Sequence, residues 1–238
     1  MDQTPHDRAV SRRILAYEAG SFHPQTRDLV KETNWSLTVN GAEAETFSCS
    51  PWDLEEAALG ILFLRGAICR AEEVAKLRIL PAEGRMEAVL RPLPPPVREE
   101  EGAPLLLRAP QVLSLAAGLE AGAGLFRRTG GVHTAALARQ GDILLRREDV
   151  SRHGALEKLA GACLQEHIPM AGTVLVFSGR VSHEIVSMAG RMGCGAIVAR
   201  SAPTDLACRT AEERDMVLIG FAREEHFNLY TCPDRVVP

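Results

Sequence analysis

The chain has 238 residues, 46% of them hydrophobic and 24% charged, a balance that supplies a sizeable core and excludes a disordered or low-complexity protein. Its formal net charge of -4 argues against nucleic acid as a partner, because that binding rests on a basic surface neutralising many phosphates. No window approaches the roughly 18 apolar residues of a membrane span. The opening Met1-Asp2-Gln3-Thr4-Pro5-His6 has no apolar stretch behind it, so we expect a cytoplasmic protein with neither export signal nor anchor.

Residues 1–34 show mixed polarity without a clean period and are left as a lead-in with no assigned structure. Trp35-Ser36-Leu37-Thr38-Val39 alternates apolar with polar, Asn40-Gly41 follows, and a second extended run leads to Phe47, which together predict a β-hairpin. Ser50-Pro51-Trp52-Asp53 then offers a capping hydroxyl, a first-turn proline and an acid, predicting a helix with its body at Leu54–Phe63. Val74–Leu80 and Met86–Leu90 flank Pro81-Ala82-Glu83-Gly84 as a second hairpin. The proline and acid run Pro92–Gly102 reads as a linker.

Beyond it the pattern changes to a helix over Pro110–Leu125 and then to short apolar runs alternating with helices. The strand candidates are Ile143–Leu145, Thr173–Phe177, Ala196–Ala199 and Met216–Ile219. Such runs predict an α/β sheet covered on both faces, whose ligands sit beyond the carboxyl ends of the strands. We therefore expect a smaller N-terminal α+β subdomain with its linker over 35–108, and an α/β domain over 109–238.

Four polar clusters fall where strands hand over to loops or helices. Thr129-Gly130-Gly131-Val132-His133 pairs glycines, which turn tightly and can expose amides to an anion, with a histidine. Arg146–His153 leads into a helix at Gly154–Leu159, with Asp149 or Ser151 placed to cap it and His153 one turn from Glu157. Ser178-Gly179-Arg180-Val181-Ser182-His183-Glu184 sets two hydroxyls and a guanidinium at a helix mouth, an arrangement suited to phosphate. Ser201-Ala202-Pro203-Thr204-Asp205 repeats the theme. Each could be no more than a turn or a cap. Their common position at strand ends would gather them around one cleft if the sheet is as predicted.

Six cysteines, Cys49, Cys69, Cys163, Cys194, Cys208 and Cys232, include no pair two or three apart, so neither a zinc finger nor a small disulfide framework is expected, and no metal ion. Cys163, Cys194 and Cys208 lie in apolar runs and read as buried hydrophobes.

At these same residues the chain resembles the FdhD/NarQ family of formate dehydrogenase accessory sulfurtransferases. The resemblance is carried by Asn40-Gly41, Pro51–Glu55, Leu59–Phe63, Thr129–Ala135, Arg147–Lys158, Ser178–Glu184, Ser201–Thr204 and Gly220–Arg223, in that order over about Trp35 to Thr231. It implies a main domain similar to cytidine deaminases, a homodimer, and a cytoplasmic role in which sulfur from a cysteine desulfurase passes to the bis-molybdopterin guanine dinucleotide form of the molybdenum cofactor, bound for formate dehydrogenase. GDP would mimic part of that ligand. The binding residues it implies are Thr129, Gly130, Gly131, His133, Glu148, Asp149, Arg152, His153, Lys158, Ser178, Gly179, Arg180, Ser182, Glu184, Ser201, Ala202, Pro203, Thr204, Phe221 and Arg223. Within the long motif Ser151, Gly154 and Glu157 stand where the family usually has glycine, asparagine and aspartate.

One departure bears on the chemistry. The family's mobile loop usually carries Cys-x-x-Cys, and the matching interval here, Pro92–Arg108, contains no cysteine. A persulfide carrier needs a thiolate sulfur. Either another thiol substitutes, with Cys49 the first candidate and Cys232 the second, or the protein binds and escorts the cofactor without relaying sulfur. A zinc hydrolase is the remaining alternative, and it is disfavoured: His133 is followed by Thr134-Ala135 and Gly179 by Arg180-Val181-Ser182, leaving neither the glutamate nor the thiolates of zinc deaminases.

Overall fold

The computed structural model describes residues 8–91 and 105–238; the linker expected at Pro92–Gly102 lies outside the described residues. The segment left unassigned in the sequence holds a long hairpin, β1 (Ala9–Glu18) and β2 (Ser21–Val30), turned by Ala19-Gly20 with φ of 49° and 88°. Neither strand has a fully buried residue, so no alternating pattern is imprinted on the sequence. Alanine also conceals a turn in which both central residues take positive φ.

The next hairpin is as expected: β3 (Thr33–Val39) and β4 (Ala42–Cys49) turn at Asn40-Gly41, with φ of 52° and 84°. Helix α1 (Leu54–Leu64) follows, but not by the predicted cap. Its N-cap is Asp53 in the left-handed region, and Pro51 precedes the helix. The Ser50 hydroxyl instead accepts the Val150 N–H, about a hundred residues away. Strands β5 (Val74–Leu80) and β6 (Arg85–Leu90) form the second predicted hairpin and complete a sheet of order β4-β3-β6-β5, with β3 and β6 parallel.

After β7 (Leu107–Arg108), the single helix expected over Pro110–Leu125 is two, α2 (Ala109–Ala121) and α3 (Gly124–Thr129), separated at Gly122-Ala123. Then come β8 (His133–Arg139), β9 (Asp142–Asp149), α4 (Arg152–Gln165), β10 (Val174–Phe177), α5 (His183–Arg191), β11 (Ala196–Ala199), α6 (Asp205–Glu213), β12 (Val217–Arg223), β13 (His226–Leu229) and β14 (Val236–Val237). The predicted strands lie within β9, β10, β11 and β12 to within a residue; β8 and β13 escaped the sequence analysis. The six-stranded sheet has order β13-β12-β11-β10-β8-β9, with β10, β11 and β12 parallel and β8 antiparallel to both its neighbours. The start of β8 and the ends of β9, β10, β11 and β12 therefore share one edge. The short β14 pairs with β7.

Strand alternation divides the apolar side chains between two cores. Ala136, Val174, Val176, Val198 and Ile219 face Val112, Leu115 and Leu119 of α2. Leu137, Leu175, Phe177, Ile197 and Leu218 face the other way, into a core with Leu156 and Leu159 of α4 and Ile185 of α5, which continues through α1 to Trp35, Leu37 and Met86 of the four-stranded sheet. Both faces are thus covered. Helices α1 and α4 cross backbone to backbone: a Cβ on Gly60 would lie 1.7 Å from the Glu157 carbonyl oxygen, and one on Gly161 would lie 1.8 Å from that of Glu56. The sequence can meet that approach only with glycine on each side. Gly161→Ala is expected to separate the helices and destabilise the fold by about 1–3 kcal/mol, the usual cost of overpacking, read as a lowered urea midpoint; an unchanged midpoint would exclude so tight a crossing.

Candidate ligand-binding site

The site begins with a buried ion pair. Asp149, at the end of β9, and Lys158, one turn into α4 from Gly154, meet at 2.6 Å with both side chains fully buried. Asp149 also accepts the Ser50 N–H at 3.0 Å and the Ser151 N–H at 2.7 Å, while Lys158 donates to the Ser50 carbonyl at 2.9 Å. Lys158 lies 5.0 Å from the centroid of the Trp52 ring and Arg8 lies 5.2 Å from the same ring; the indole N–H donates to the Glu148 carbonyl at 3.2 Å. These bonds join the Ser50–Asp53 turn to the β9–α4 turn and fix where α4 starts. Ser151 caps it by accepting the Gly154 N–H.

Asp149 and Lys158, which the family resemblance implies at a ligand, are sealed from solvent. Every strong partner of either is internal, so their part is to hold the loop that presents Arg152 and His153. The Thr129-Gly130-Gly131 turn is likewise bonded within itself. Gly130, with φ of 68°, ends α3; its N–H donates to the Phe126 carbonyl, and the Gly131 N–H donates to the Thr129 hydroxyl. The amides expected to face an anion are used within the turn. Glu148 looks into a neighbouring cleft with Arg8, Asp53, Glu56, Arg146 and Arg147, where burial raises its carboxyl pKa.

The remaining clusters do meet along the shared edge. Thr134 N–H donates to the Ser178 hydroxyl at 2.8 Å and Ser178 N–H returns a bond to the Thr134 carbonyl. His133 stands against Gly179, where a Cβ would come within 3.2 Å of its Nδ1. The 178–182 turn is zipped to the 202–204 turn: Val181 N–H donates to the Ala202 carbonyl, Thr204 N–H donates to the Val181 carbonyl, and Val181 and Pro203 bridge in parallel. Phe221, with φ of 54°, donates its N–H to the Ser201 carbonyl. His153 Nε2 lies 3.0 Å from Glu184 Oε2. Arg223 lies beyond a bulge in β12, exposed and opposite His226.

Buried polar atoms without a hydrogen bond occur at this edge and elsewhere, and two of those at the edge are donors in its turns. Arg152 Nε and the Ser182 hydroxyl, which begins α5 without capping it, are both buried atoms with no hydrogen bond. Their neighbours are spoken for: Thr204 accepts the Ala207 N–H and Ser178 is engaged with Thr134. Arg180 is exposed on the same turn. Burial lowers the pKa of His133, and the charge of Arg152 lowers it further; burial likewise lowers His153, partly offset by Glu184. Both shifts disfavour the charged imidazolium, so the arginines are the principal cations of this edge.

A cleft flanks each side of this ridge. One, of about 400 Å³, is lined by Phe126, Val132, His133, Thr134, Ser178, Arg200 and Ser201. The other, of about 780 Å³, lies between β4, the end of α1 and the starts of α4 and α5, and is strongly acidic, with Glu32, Glu45, Glu157 and Glu184 against Arg65, His153 and His183. Arg65, Arg200 and Phe126 were missed in the sequence, since each reaches the edge from an element outside the four clusters. Among the described residues no group of three or more His, Cys, Asp or Glu side chains is placed to hold a metal ion, and no helix is long and apolar enough to cross a membrane.

The thiols are also redistributed. Cys49, the first candidate for a substitute carrier, is buried and its pKa is pushed up to about 12; burial does the same to Cys163, at about 12, and Cys194, at about 11. Cys208 is half-exposed rather than buried, and both it and Cys232 are raised by partial burial. The exposed thiol is Cys69, just past α1, which no sequence pattern singled out.

Fold and site together define a mixed α/β protein with an open sheet whose carboxyl edge is a donor-rich ridge between two clefts. The FdhD/NarQ family profile matches residues 95–237. The sulfur carrier protein FdhD of Staphylococcus haemolyticus is 34% identical over 94% of this chain and 95% of its own, and that of Shouchella clausii is 35% identical over 95% and 96%. A crystal structure from Desulfotalea psychrophila, assigned as a formate dehydrogenase accessory protein, superposes with a TM-score of 0.82 over 96% of this chain and 99% of its own, at 24% identity. The chain belongs to the FdhD/NarQ family.

Two measurements test the geometry. Lys158→Ala leaves Asp149 buried without its counterion, and a loss of about 3–5 kcal/mol in denaturant unfolding is expected. Glu157, almost fully buried, has its pKa raised to about 7 by burial despite Arg65 at 3.4 Å. A carboxyl raised in the folded state stabilises below its ordinary range, and that contribution is lost as pH rises through about 7. Glu157→Gln should therefore remove a fall in stability across that window, read from urea midpoints against pH; an unchanged slope would show that Glu157 is not the group responsible.

Proposed function

We propose that this protein serves formate dehydrogenase maturation by binding the bis-molybdopterin guanine dinucleotide cofactor as cargo along the ridge, with its guanine nucleotide part in the smaller cleft. The observation that carries the reading is the pair of unpartnered buried donors, Arg152 Nε and the Ser182 hydroxyl, beside exposed Arg180. A cation and a hydroxyl left without acceptors are costly unless an anion completes them, and a diphosphate offers the matching acceptors. The smaller cleft is the less acidic of the two: Arg200 lines it in an ion pair with Glu120 at 2.8 Å, whereas the larger one sets four glutamates against Arg65. His133 and half-exposed Phe126, both lining the smaller cleft, give a purine flat surfaces. The order of the strands from β8 to β12, with β8 antiparallel to its neighbours, supports a cytidine deaminase-like reading of the main domain.

The partners we infer are a cysteine desulfurase, formate dehydrogenase and a second copy of the chain, in the cytoplasm. Sulfur relay is a separate matter. The relatives are sulfur carrier proteins by name, yet this chain has no cysteine in the interval where the family's pair is usual. Its buried thiols are held protonated far above neutral pH. We therefore favour a cofactor-binding escort that transfers sulfur poorly, with Cys69 the one deputy whose exposure recommends it.

Arg180→Ala should weaken GDP binding by about 1–3 kcal/mol in calorimetry if its guanidinium makes a charge-assisted contact; unchanged affinity removes Arg180 from the site, and no binding by the wild type removes the site. Relay is tested independently by complementing a strain that lacks its own family member. Weak restoration of formate dehydrogenase by the wild type is expected. Full restoration would reject poor transfer, and its loss in Cys69→Ser would then identify the carrier.

A further inference from the structure

The larger cleft combines apolar walls with a buried carboxylate. Phe47, Leu64, Val150 and Met188 line it, and so does Glu157 of α4, only 4% exposed. The bonds of that carboxylate are few. Its Oε1 accepts from Arg65 Nη2 at 3.4 Å, and the same nitrogen donates to Glu45 Oε1 at 2.8 Å. Among the described residues Glu157 Oε2 has no hydrogen bond of its own, and Arg65 Nε and Nη1 have none either. A buried acceptor without donors is costly, and a cavity with apolar walls and a few fixed polar groups is the usual form of a small-molecule site.

The free atoms define what completes them. A carboxylate takes two parallel N–H donors, and the adjoining guanidinium takes a carbonyl oxygen. The edge of a 2-amino-4-oxopyrimidine presents oxygen, N–H and N–H in that order. Phosphate does not suit this cleft, since Glu32, Glu45 and Glu184 also line it and Arg65 is the one arginine among its lining residues. Apolar walls favour a planar ring. Two parts of the proposed cofactor carry the edge, guanine and pterin, and the pyran-fused pterin is the bulkier. It matches a cleft of about 780 Å³ better than one of about 400 Å³. The unpartnered donors of Arg152 and Ser182 stand between the two, at the starts of α4 and α5, where a diphosphate joining the rings would cross.

We propose, resting on the cofactor reading, that the larger cleft seats the pterin of the same dinucleotide, with Glu157 accepting its N3–H and 2-amino N–H and Arg65 donating to its O4. Glu157 and Arg65 are then the residues that select the pterin end. The pocket is also linked to pH. Burial pushes Glu157 up to about 7, with Arg65 and Lys158 opposing the rise and Glu45 and Asp149 adding to it. His153 of α4, His183 and Glu184 of α5 and Glu32 ahead of β3 are the other titratable groups on the cleft. Two N–H donors need the ionised carboxylate, so below about 7 the pterin must displace a proton from Glu157 to bind.

The test titrates the full chain with 6-hydroxymethylpterin, followed by the pterin's own fluorescence. Saturable binding is expected, weakening several-fold as pH falls through about 7. Lumazine, which has a carbonyl in place of the 2-amino group, should bind the wild type about tenfold more weakly, a comparison that needs no variant. Glu157→Gln should lose about tenfold or more in pterin affinity, together with the pH dependence, and leave GDP binding unchanged. GDP carries the same edge, so its loss in Glu157→Gln would move guanine into this cleft and overturn the pterin assignment. Equal affinities for pterin and lumazine would overturn it too, as would no pterin binding by a wild type that binds GDP. Pterin binding that depends on Glu157 in a protein indifferent to GDP would uphold the pocket and count against the nucleotide placement alone.

Discussion

The contact between Asp149 and Lys158 is the constraint on which the arrangement of the edge depends. An ion pair in a fully buried setting is rarely a source of net stability, because desolvation offsets most of the attraction. What it supplies is position. With its carboxylate shared among Lys158, Ser50 and Ser151, Asp149 allows one geometry for the turn between β9 and α4. That turn in turn sets the start of α4, where Arg152 and His153 reach toward the ridge. The same bonds bring the Ser50–Asp53 turn into place, so the wall of the larger cleft built by β4 and α1 is registered to the sheet edge by the interaction that builds the ridge.

This explains how the four turns come to share one edge of the sheet although several of their groups are committed to internal bonds. The sheet order gathers the turns, and zipped backbone bonds between 178–182 and 202–204 make them a single surface. Hydroxyls are then divided by what surrounds them. Ser151 and Thr204 cap helices and Ser178 braces β8, whereas Ser182 has the cap position without the capping bond. Identical residue types at comparable strand ends thus do different work, and spacing alone does not separate them.

The parts of the fold legible in the sequence are those where local chemistry decides. Asn40-Gly41 announces its turn because both residues tolerate positive φ; Ala19-Gly20 and Gln140-Gly141 make similar turns unannounced. The apolar runs of β10, β11 and β12 are continuous because both faces are covered. Strand β8 was missed because His133-Thr134-Ala135-Ala136-Leu137 carries two alanines that bury fully yet weigh little in any pattern. At the site, the motifs marked the ridge but not the commitment of each group. Whether a lysine is solvated or sealed depends on Ser50 and Trp52, about a hundred residues away, and Cys49 is buried because the end of β4 packs into the main core, whereas Cys69 stays exposed in the loop after α1.

The clamp on Trp52 also decides what light absorbed by this protein can report. The chain has two tryptophans, Trp35 and Trp52, both nearly inaccessible, one in the four-stranded sheet and the other with Arg8 and Lys158 each within about 5 Å of its ring. None lies in the six-stranded sheet or its helices. Indole emission is therefore a selective gauge of the N-terminal layer and its seating on α4. If that layer loosens before the main sheet melts, fluorescence and far-ultraviolet dichroism will follow different curves, and a single transition temperature will not describe both.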